Sequence, residues 1–188
     1  PATLWQWQGG VEADWAELLR PGVDLGSGPA AAALLQRSGS GLPSWLEALP
    51  QWSTEEVESN RLHHGLPAVP GELNDDTNPF ELGLADWVSL NKGCYVGQET
   101  LAKLATYDGV KQQLRSWQSS EAVEPGTSLS NAAGERAGVV TSAQGNRGLA
   151  LIRRSCLDAT SLQAGTASLS LSKPLGFIDP PVGAGGQG

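Results

Sequence analysis

The spacing of hydrophobic positions changes near residue 108. Upstream of it, helical and extended patterns are mixed; downstream, short runs of alternating polar and apolar residues are separated by turns. Strands are predicted there at residues 110–117, 127–130, 138–141, 148–153 and 167–171. Regularly spaced short strands are typical of a small sandwich or barrel, so the sequence predicts an α+β fold that ends in a small antiparallel β-barrel. We expect domains at 1–107 and 108–176, and a disordered, Gly- and Pro-rich tail at 177–188.

The upstream elements are predicted from periodicity and from residues that begin or end a helix. Alternation predicts a strand over residues 3–8, and the spacing of Trp15, Leu18 and Leu19 predicts a helix over 12–20. Further predictions are a short helix or buried strand at 30–36, a helix with a capping box at 44–49, a helix from Ser53 or Thr54 towards Leu62, a strand at 86–90 and a helix at 98–107.

Residues 91–100 form the most chemically informative run, Asn-Lys-Gly-Cys-Tyr-Val-Gly-Gln-Glu-Thr. A cysteine is a nucleophile only as the thiolate, and an ammonium such as Lys92 stabilises that form where the side chains meet. Gly93 and Gly97 permit a positive φ or the close approach of a ligand, and the following helix start presents backbone donors to an anion. The alternative is an inert, buried Cys94 in an ordinary glycine turn.

Composition excludes several functional classes. Hydrophobic residues at 39% and charged residues at 17% describe a soluble globular protein. A net charge of -8 argues against broad nucleic-acid binding, so no direct nucleic-acid partner is expected. No membrane partner is expected either, because no apolar run reaches spanning length, and no signal-peptide pattern opens the chain. The expected location is the cytoplasm, or an organelle matrix in a eukaryote.

The cysteines and histidines fit no recognised metal spacing. Cys94 and Cys156 lie far apart, and His63 and His64 pair with no third ligand at a known interval, so no metal site is expected. A disulfide stays open, although nothing indicates an oxidising compartment. A cysteine hydrolase would need Cys94 near one of the histidines; spacing leaves this open, but no acyl-transfer motif surrounds them.

Residues 72–81 are rich in acids and turn formers, which predicts a surface loop. Asn78-Pro79 disfavours a continuing helix, because the residue before a proline avoids the helical region. The run does not supply the alternating oxygen ligands and central glycine of a calcium loop.

The run from Lys92 to Glu99 resembles the signature of the tetrahydrofolate-binding YgfZ proteins, relatives of the glycine-cleavage T-protein. The resemblance implies the C-terminal part of a T-protein-like folate-binding domain ahead of the barrel. Because proteins of that family carry a further segment before the matched region, part of the domain is expected upstream of Pro1. Residues 61–67 are similar to the family segment Arg-Leu/Ile-Glu-Ala-Gly-Ile/Leu-Pro, except that His63 and His64 replace Glu and Ala.

The resemblance also implies a site. Glu81 matches a pterin-contacting glutamate of the T-protein, and a carboxylate can accept two hydrogen bonds from adjacent pterin N–H donors. Cys94 and Lys92 are the expected catalytic residues. The expected cofactor is tetrahydrofolate or a one-carbon derivative, and the residues expected to bind it are Glu81, Tyr95, Gly97, Gln98 and Glu99.

For activity, the resemblance implies a folate-binding accessory protein rather than a classical enzyme. It would support iron-sulfur cluster assembly or repair, and indirectly tRNA modification, with reduced folate and iron-sulfur assembly or client proteins as partners. One alternative is a folate-dependent aminomethyltransferase. Residues 75–81 favour this alternative, and such an enzyme needs no thiol. A non-catalytic scaffold is the other, kept open by the departure at His63.

Overall fold

The computed structural model describes residues 52–181 and, further upstream, the backbone of residues 6–8, 15–19 and 32–36. The chain divides into two compact units, residues 1–57 and 58–188. The boundary expected between residues 107 and 108 stays a prediction. The disordered tail expected at 177–188 is wrong for residues 177–181, because Phe177 is buried and Ile178 pairs with Gly83; its remaining residues lie outside those that the structure describes. None of the described helices is long and apolar enough to cross a bilayer.

The first unit contains a three-stranded antiparallel sheet of β1 (Gln6–Gln8), β2 (Trp15–Leu19) and β3 (Ala32–Gln36), in that order. The prediction of a helix at 12–20 is wrong, because its apolar residues lie in the central strand. A five-residue segment with four apolar residues, between glycines and a proline, is compatible with either spacing, and pairing with two neighbouring strands decides for the strand. The helix predicted at 44–49 lies outside the described residues.

Helix α1 (Thr54–His64) confirms the helix predicted from Ser53 or Thr54. Its start is a capping box: the Ser53 hydroxyl accepts the Glu56 N–H at 3.2 Å, and the Glu56 carboxylate accepts the Ser53 N–H at 2.7 Å. These hydrogen bonds lower the pKa of Glu56. Gly65, at φ +66°, follows the helix and turns the chain.

Between α1 and the barrel the chain folds as turns and short helices. The strand predicted at 86–90 is wrong: residues Ala85–Trp87 form a 3-10 helix, in which Trp87 N–H bonds to the Leu84 carbonyl at 3.0 Å. Local bonds satisfy this backbone, so the alternating pattern does not become a strand. Helix α2 (Gln98–Thr106) confirms the prediction at 98–107 and packs Leu101 and Ala105 with Phe80.

A closed six-stranded barrel forms the C-terminal part of the second unit, as predicted. Its strands are β4 (Gln112–Gln118), β5 (Ser128–Ser130), β6 (Arg136–Gln144), β7 (Arg147–Arg153), β8 (Ser161–Ala164) and β9 (Ala167–Ser172). They close in the order β4-β7-β6-β5-β8-β9. Trp117 is buried in the core, and its indole N–H donates to the Leu149 carbonyl at 3.1 Å. Only β8 was not predicted, because four residues give too short an alternation.

After β9 the chain returns to the turns that precede the barrel. This strap, residues 173–181, pairs at Ile178, whose N–H donates to the Gly83 carbonyl at 3.0 Å. The ring of Phe177 occupies the space where a β-carbon at Gly83 would stand. Phe177 packs in one buried cluster with Leu62 and Leu114, so the strap joins α1, the turns and the barrel.

Candidate functional site

Two hollows lie on the second unit, and residues 76–81 contribute to both. The first hollow, about 700 Å³, is lined by residues that include Glu81, Lys111, Gln112, Arg153 and Arg154. The second hollow, about 480 Å³, is lined by residues that include Asn78, Trp87, Lys92, Tyr95 and Gly97. Both volumes lie in the range of small-molecule sites.

Glu81 lines the first hollow although the residue is only 7% exposed. Its backbone is fixed to the barrel, because the Leu114 N–H donates to the Glu81 carbonyl at 2.8 Å. The Asn78 N–H donates to the carboxylate at 3.2 Å, and the Asn78 side chain accepts the Glu81 N–H at 3.2 Å. These reciprocal hydrogen bonds hold the Glu81 side chain against the turn.

Burial raises the pKa of Glu81 above its usual value. The hydrogen bonds from Asn78 and Gln112 and the charge of Lys111 oppose this rise and favour the ionised form. A carboxylate offers about four acceptor positions, so Asn78 and Gln112 leave capacity for further donors. Glu81 can therefore accept hydrogen bonds from a ligand that enters the first hollow.

The prediction of a surface loop at 72–81 is wrong at both of its ends. Glu72 is fully buried, whereas residues 73–76 are exposed. The Glu72 carboxylate accepts hydrogen bonds from Arg61 at 3.2 Å, the Ala68 N–H at 3.0 Å and the Ser142 hydroxyl at 2.7 Å. The bond to Ser142 spans 70 residues of sequence, so local composition could not predict the burial.

The pair of Arg61 and Glu72 fixes the start of the 72–81 loop. Arg61 also donates to both carboxylate oxygens of Glu58, at 2.6 and 2.7 Å, and to the Leu66 carbonyl. The bonds to Glu58, and then the charge of Glu72, raise the pKa of Arg61 against the effect of burial. Sequence reasoning missed this network; its one available signal was that Arg61 opens the family-like segment at 61–67.

Cys94 is exposed, and its thiol is free. The Lys92 ammonium lies 4.9 Å from the centroid of the Tyr95 ring, a distance typical of a cation–π contact. Cys94 therefore stands between two residues that line the second hollow. Cys156, also free, is buried in the barrel core.

Gln98 holds the run 91–100 in shape. Its side-chain amide donates to the carbonyls of Leu90 at 2.9 Å and Lys92 at 3.1 Å, and its oxygen accepts the Tyr95 N–H at 3.3 Å. Gly97, at φ +87°, gives the left-handed turn that leads into α2. Glu99 forms an exposed ion pair with Lys103 at 2.8 Å.

The structure thus divides the expected site residues between two places. Glu81 lines the first hollow; Lys92, Tyr95 and Gly97 line the second hollow. The Tyr95 hydroxyl is buried and has no hydrogen-bond partner within the described residues. The catalytic and binding roles expected of all seven residues, including Cys94, Gln98 and Glu99, stay predictions.

The two histidine side chains lie in different environments. His64 is buried and donates from Nδ1 to the Asn60 carbonyl at 2.9 Å, whereas His63 is exposed. In the part of the chain that the structure describes, no group of three or more His, Cys, Asp and Glu side chains could hold a metal ion.

Comparisons with known proteins relate this geometry to a family. Residues 111–176 match the family described as CAF17, C-terminal beta-barrel domain. A chloroplastic Arabidopsis thaliana protein named "putative transferase" is 44% identical over 90 residues, which are 48% of this chain and 21% of that protein. Mitochondrial dimethylglycine dehydrogenase of Mus musculus is 35% identical over 69 residues, which are 36% of this chain and 8% of that enzyme. The chain thus spans about a fifth or less of these relatives.

A solved structure shares the fold. The glycine cleavage system aminomethyltransferase T from Bartonella henselae superposes with a TM-score of 0.55 and 19% sequence identity, over 66% of this chain and 38% of that protein. At this identity the likeness concerns the fold, which is that of the aminomethyltransferase T-protein.

Proposed function

We propose that this chain, which belongs to the T-protein-like family that includes the YgfZ and CAF17 proteins, binds a reduced folate in the first hollow. The observation that carries this proposal is the buried carboxylate of Glu81, held by Asn78 at the wall of a hollow of about 700 Å³. The cofactor is tetrahydrofolate or a one-carbon derivative.

The donor set of the hollow fits a pterin. The ring presents adjacent N–H groups, and a carboxylate with free acceptor positions binds such a pair through charge-assisted bonds. Because Glu81 is largely removed from water, each of these bonds is electrostatically stronger than at a surface. Gln112, bonded to Glu81, keeps the carboxylate in place from the β4 side.

Calorimetric titration of the chain with tetrahydrofolate tests folate binding. We expect heat of binding, and an affinity loss of about 30-fold in Glu81→Gln, because a hydrogen bond to a charged group contributes about 1.5–3 kcal/mol. Glu135→Gln, which neutralises an exposed acid in the turn between β5 and β6, should leave the affinity unchanged. An absence of heat in the parent chain would favour the non-catalytic scaffold.

We propose further that Cys94 is the reactive group of an accessory protein that supports iron-sulfur cluster assembly or repair. Its exposed, free thiol, two residues after Lys92 in the sequence, supports this role. Iron-sulfur assembly or client proteins are the proposed partners, and tRNA modification that depends on such clusters is the indirect outcome. The proposed location is an organelle matrix, in line with the chloroplastic relative, or otherwise the cytoplasm.

The reactivity of Cys94 can be measured by mass spectrometry after brief alkylation with iodoacetamide. Cys156 is buried, so the singly modified chain reports Cys94. If Lys92 stabilises the thiolate, Lys92→Ala slows the modification several-fold at neutral pH and low salt. Lys103→Ala, which removes an exposed ammonium from α2, is the matched control. Equal rates in all three chains would refute the activation by Lys92.

One observation favours an aminomethyltransferase as a second candidate. Among the described residues no cysteine lines the first hollow, so chemistry on a folate bound there would proceed without a thiol. Cys94→Ser separates the two candidates. The transferase predicts that aminomethyl transfer survives this substitution, whereas the accessory role predicts that support of cluster-containing enzymes is lost.

A further inference from the structure

We propose that Gln112 is a specificity-determining residue of the first hollow, which selects pteridines that carry an oxygen at ring position 4 over those that carry an amino group there. This inference rests on the proposed binding of folate at Glu81. It goes further by assigning to a second side chain the recognition of a ring atom that a carboxylate cannot recognise.

The fold places the Gln112 side chain against the stretch that contains Glu81. Side chains two apart on a strand lie on the same face, so Gln112 shares a face of β4 with Leu114. Leu114 is buried in one cluster with Leu82, the residue after Glu81, and its N–H donates to the Glu81 carbonyl at 2.8 Å. Gln112 and Glu81 both line the first hollow. The two side chains therefore lie next to each other at its wall.

The hydrogen bond between the two side chains sets the orientation of the Gln112 amide. An ionised carboxylate only accepts hydrogen bonds, so the Gln112 amide N–H donates to Glu81. The amide nitrogen therefore lies beside the carboxylate, and its second N–H remains for a ligand. Pairing with Arg153 on β7 holds the Gln112 backbone in place. Gln112 is half-buried, so water does not fully replace a lost hydrogen-bond partner there.

A 4-oxopteridine matches this pair of side chains. Its N3–H and 2-amino group would donate to the Glu81 carboxylate, and its O4 lies directly beside N3 on the ring. Because Gln112 adjoins the carboxylate, its second amide N–H can donate to O4. The ligand then donates two hydrogen bonds to Glu81 and accepts one from Gln112.

The 4-amino analogue of tetrahydrofolate cannot complete this pattern. Its 4-amino group is a donor and would face the amide donor of Gln112. A ring protonated at N1 can turn over and present N1–H and the 2-amino group to Glu81, but N8–H, also a donor, then takes the place of O4. Glu81 alone would accept either ring. The discrimination therefore depends on Gln112, because a site built to donate a hydrogen bond rejects an analogue that lacks the acceptor.

Calorimetry with tetrahydrofolate and its 4-amino analogue, under anaerobic conditions, tests the inference. The two ligands have the same tail, so the ratio of their affinities reports the ring alone. We expect the parent chain to bind tetrahydrofolate about 30-fold more tightly, which corresponds to about 2 kcal/mol. The reason is that the analogue leaves a half-buried donor without an acceptor.

Two variants of Gln112 should change this ratio in different ways. Gln112→Leu removes the amide donor and should reduce the preference to about threefold or less. Gln112→Glu keeps the side-chain length but replaces the donor with an acceptor, so it should reverse the preference. Gln118→Leu is the matched control, because Gln118 is exposed at the opposite end of β4. A merely structural role of Gln112 would weaken both ligands and leave the ratio at its parental value.

The outcomes separate this inference from the proposed folate site. Equal affinities for the two ligands in the parent chain would refute the role of Gln112 while leaving folate binding at Glu81 intact. Binding of neither ligand by the parent chain would refute both proposals. If neither Gln112 variant moves the ratio towards the 4-amino analogue, another residue recognises O4 and the inference is wrong.

Discussion

At the residue scale, Glu81 is a buried acid that lines the first hollow. Glu81 is fixed through its own backbone by β4 and through its side chain by Asn78. Burial makes ionisation of Glu81 unfavourable. The free-energy cost of this charge is greatest when no hydrogen-bond donor occupies the first hollow. A ligand with adjacent N–H groups would donate hydrogen bonds to the acceptor positions of the Glu81 carboxylate that Asn78 and Gln112 leave free.

The raised pKa of Glu81 predicts how stability depends on pH. The native carboxyl still holds its proton at pH values where the unfolded chain, with a pKa of about 4.3, has lost it. The stability due to Glu81 is therefore fully present below pH 4.3 and is lost as pH rises through the raised native pKa. Glu81→Gln removes this loss, so its free energy of unfolding should gain on that of the parent between pH 4 and pH 7.

Urea unfolding of both chains across that pH range measures the difference. Glu135→Gln controls for neutralising an exposed acid and should show no such gain. A Glu81→Gln variant that loses stability relative to the parent as pH rises would contradict the assigned burial of Glu81.

The buried pair of Arg61 and Glu72 gives a second prediction at this scale. Arg61→Leu leaves the fully buried Glu72 without its counter-charge and should lower the free energy of unfolding by about 3–5 kcal/mol. Glu58→Gln breaks the pair of Arg61 with a side chain that is 40% exposed, and should cost about 1 kcal/mol or less. Similar losses in both variants would show that Glu72 is not the dominant partner.

At the element scale, the turn into α2 explains how the run 91–100 is presented. The side chain of Gln98 donates hydrogen bonds to the Leu90 and Lys92 carbonyls and accepts one from the Tyr95 N–H. The turn itself depends on the left-handed conformation of Gly97. This element therefore holds Cys94 at the surface by hydrogen bonds and backbone conformation rather than by packing of the thiol.

Replacing Gly97 tests this element. A β-carbon at Gly97 would meet no atom within 4 Å, so Gly97→Ala carries only the backbone strain of φ +87°. We expect it to lower the free energy of unfolding by about 1–2 kcal/mol, measured by urea titration. Gly93→Ala, where a β-carbon also meets nothing and φ is not in the left-handed region, should be nearly neutral. Equal losses would point to something other than strain.

At the scale of the second unit, the strap joins what the barrel alone would leave apart. Phe177 packs with Leu62 from α1 and with Leu114 and Leu149 from the barrel. The Gly83 backbone bonds to Ile178, directly after Leu82 of the same cluster. Because Glu81 lies in this stretch, the strap helps to fix the wall of the first hollow.

Truncation of the strap's anchor should therefore destabilise the unit. Phe177→Ala removes a ring that is 7% exposed and should cost about 3–5 kcal/mol in urea unfolding. Leu175→Ala, in the same strap but 78% exposed, should change stability by less than about 0.5 kcal/mol. If the Phe177 variant unfolds like the parent, the strap does not hold the unit together.

Local signals explain which parts of the fold could be predicted from sequence. All barrel strands except β8, together with helices α1 and α2, were predicted, because their periodicity and capping residues act over a few positions. β2 was mistaken for a helix, because its own residues do not indicate that it pairs with two other strands. The strand predicted at 86–90 is wrong for a related reason, because a strand needs a neighbouring strand with which it can pair.

The candidate site was predicted only where a motif marked it. Glu81 and the run 91–100 were found through resemblance, but the pairing of Arg61 with Glu72 and the bond of Glu72 to Ser142 depend on residues apart in sequence. The spacing of the expected site residues in the sequence also could not predict that they divide between two hollows. Contacts across the barrel edge, such as Glu72 with Ser142, decide these features.

The position of tetrahydrofolate in a crystal structure of the chain tests the central claim most directly. We expect the pterin in the first hollow, with its N–H groups at about 2.7–3.2 Å from the Glu81 carboxylate. A folate bound in the second hollow beside Trp87 and Tyr95, or a pterin turned away from Glu81, would contradict it.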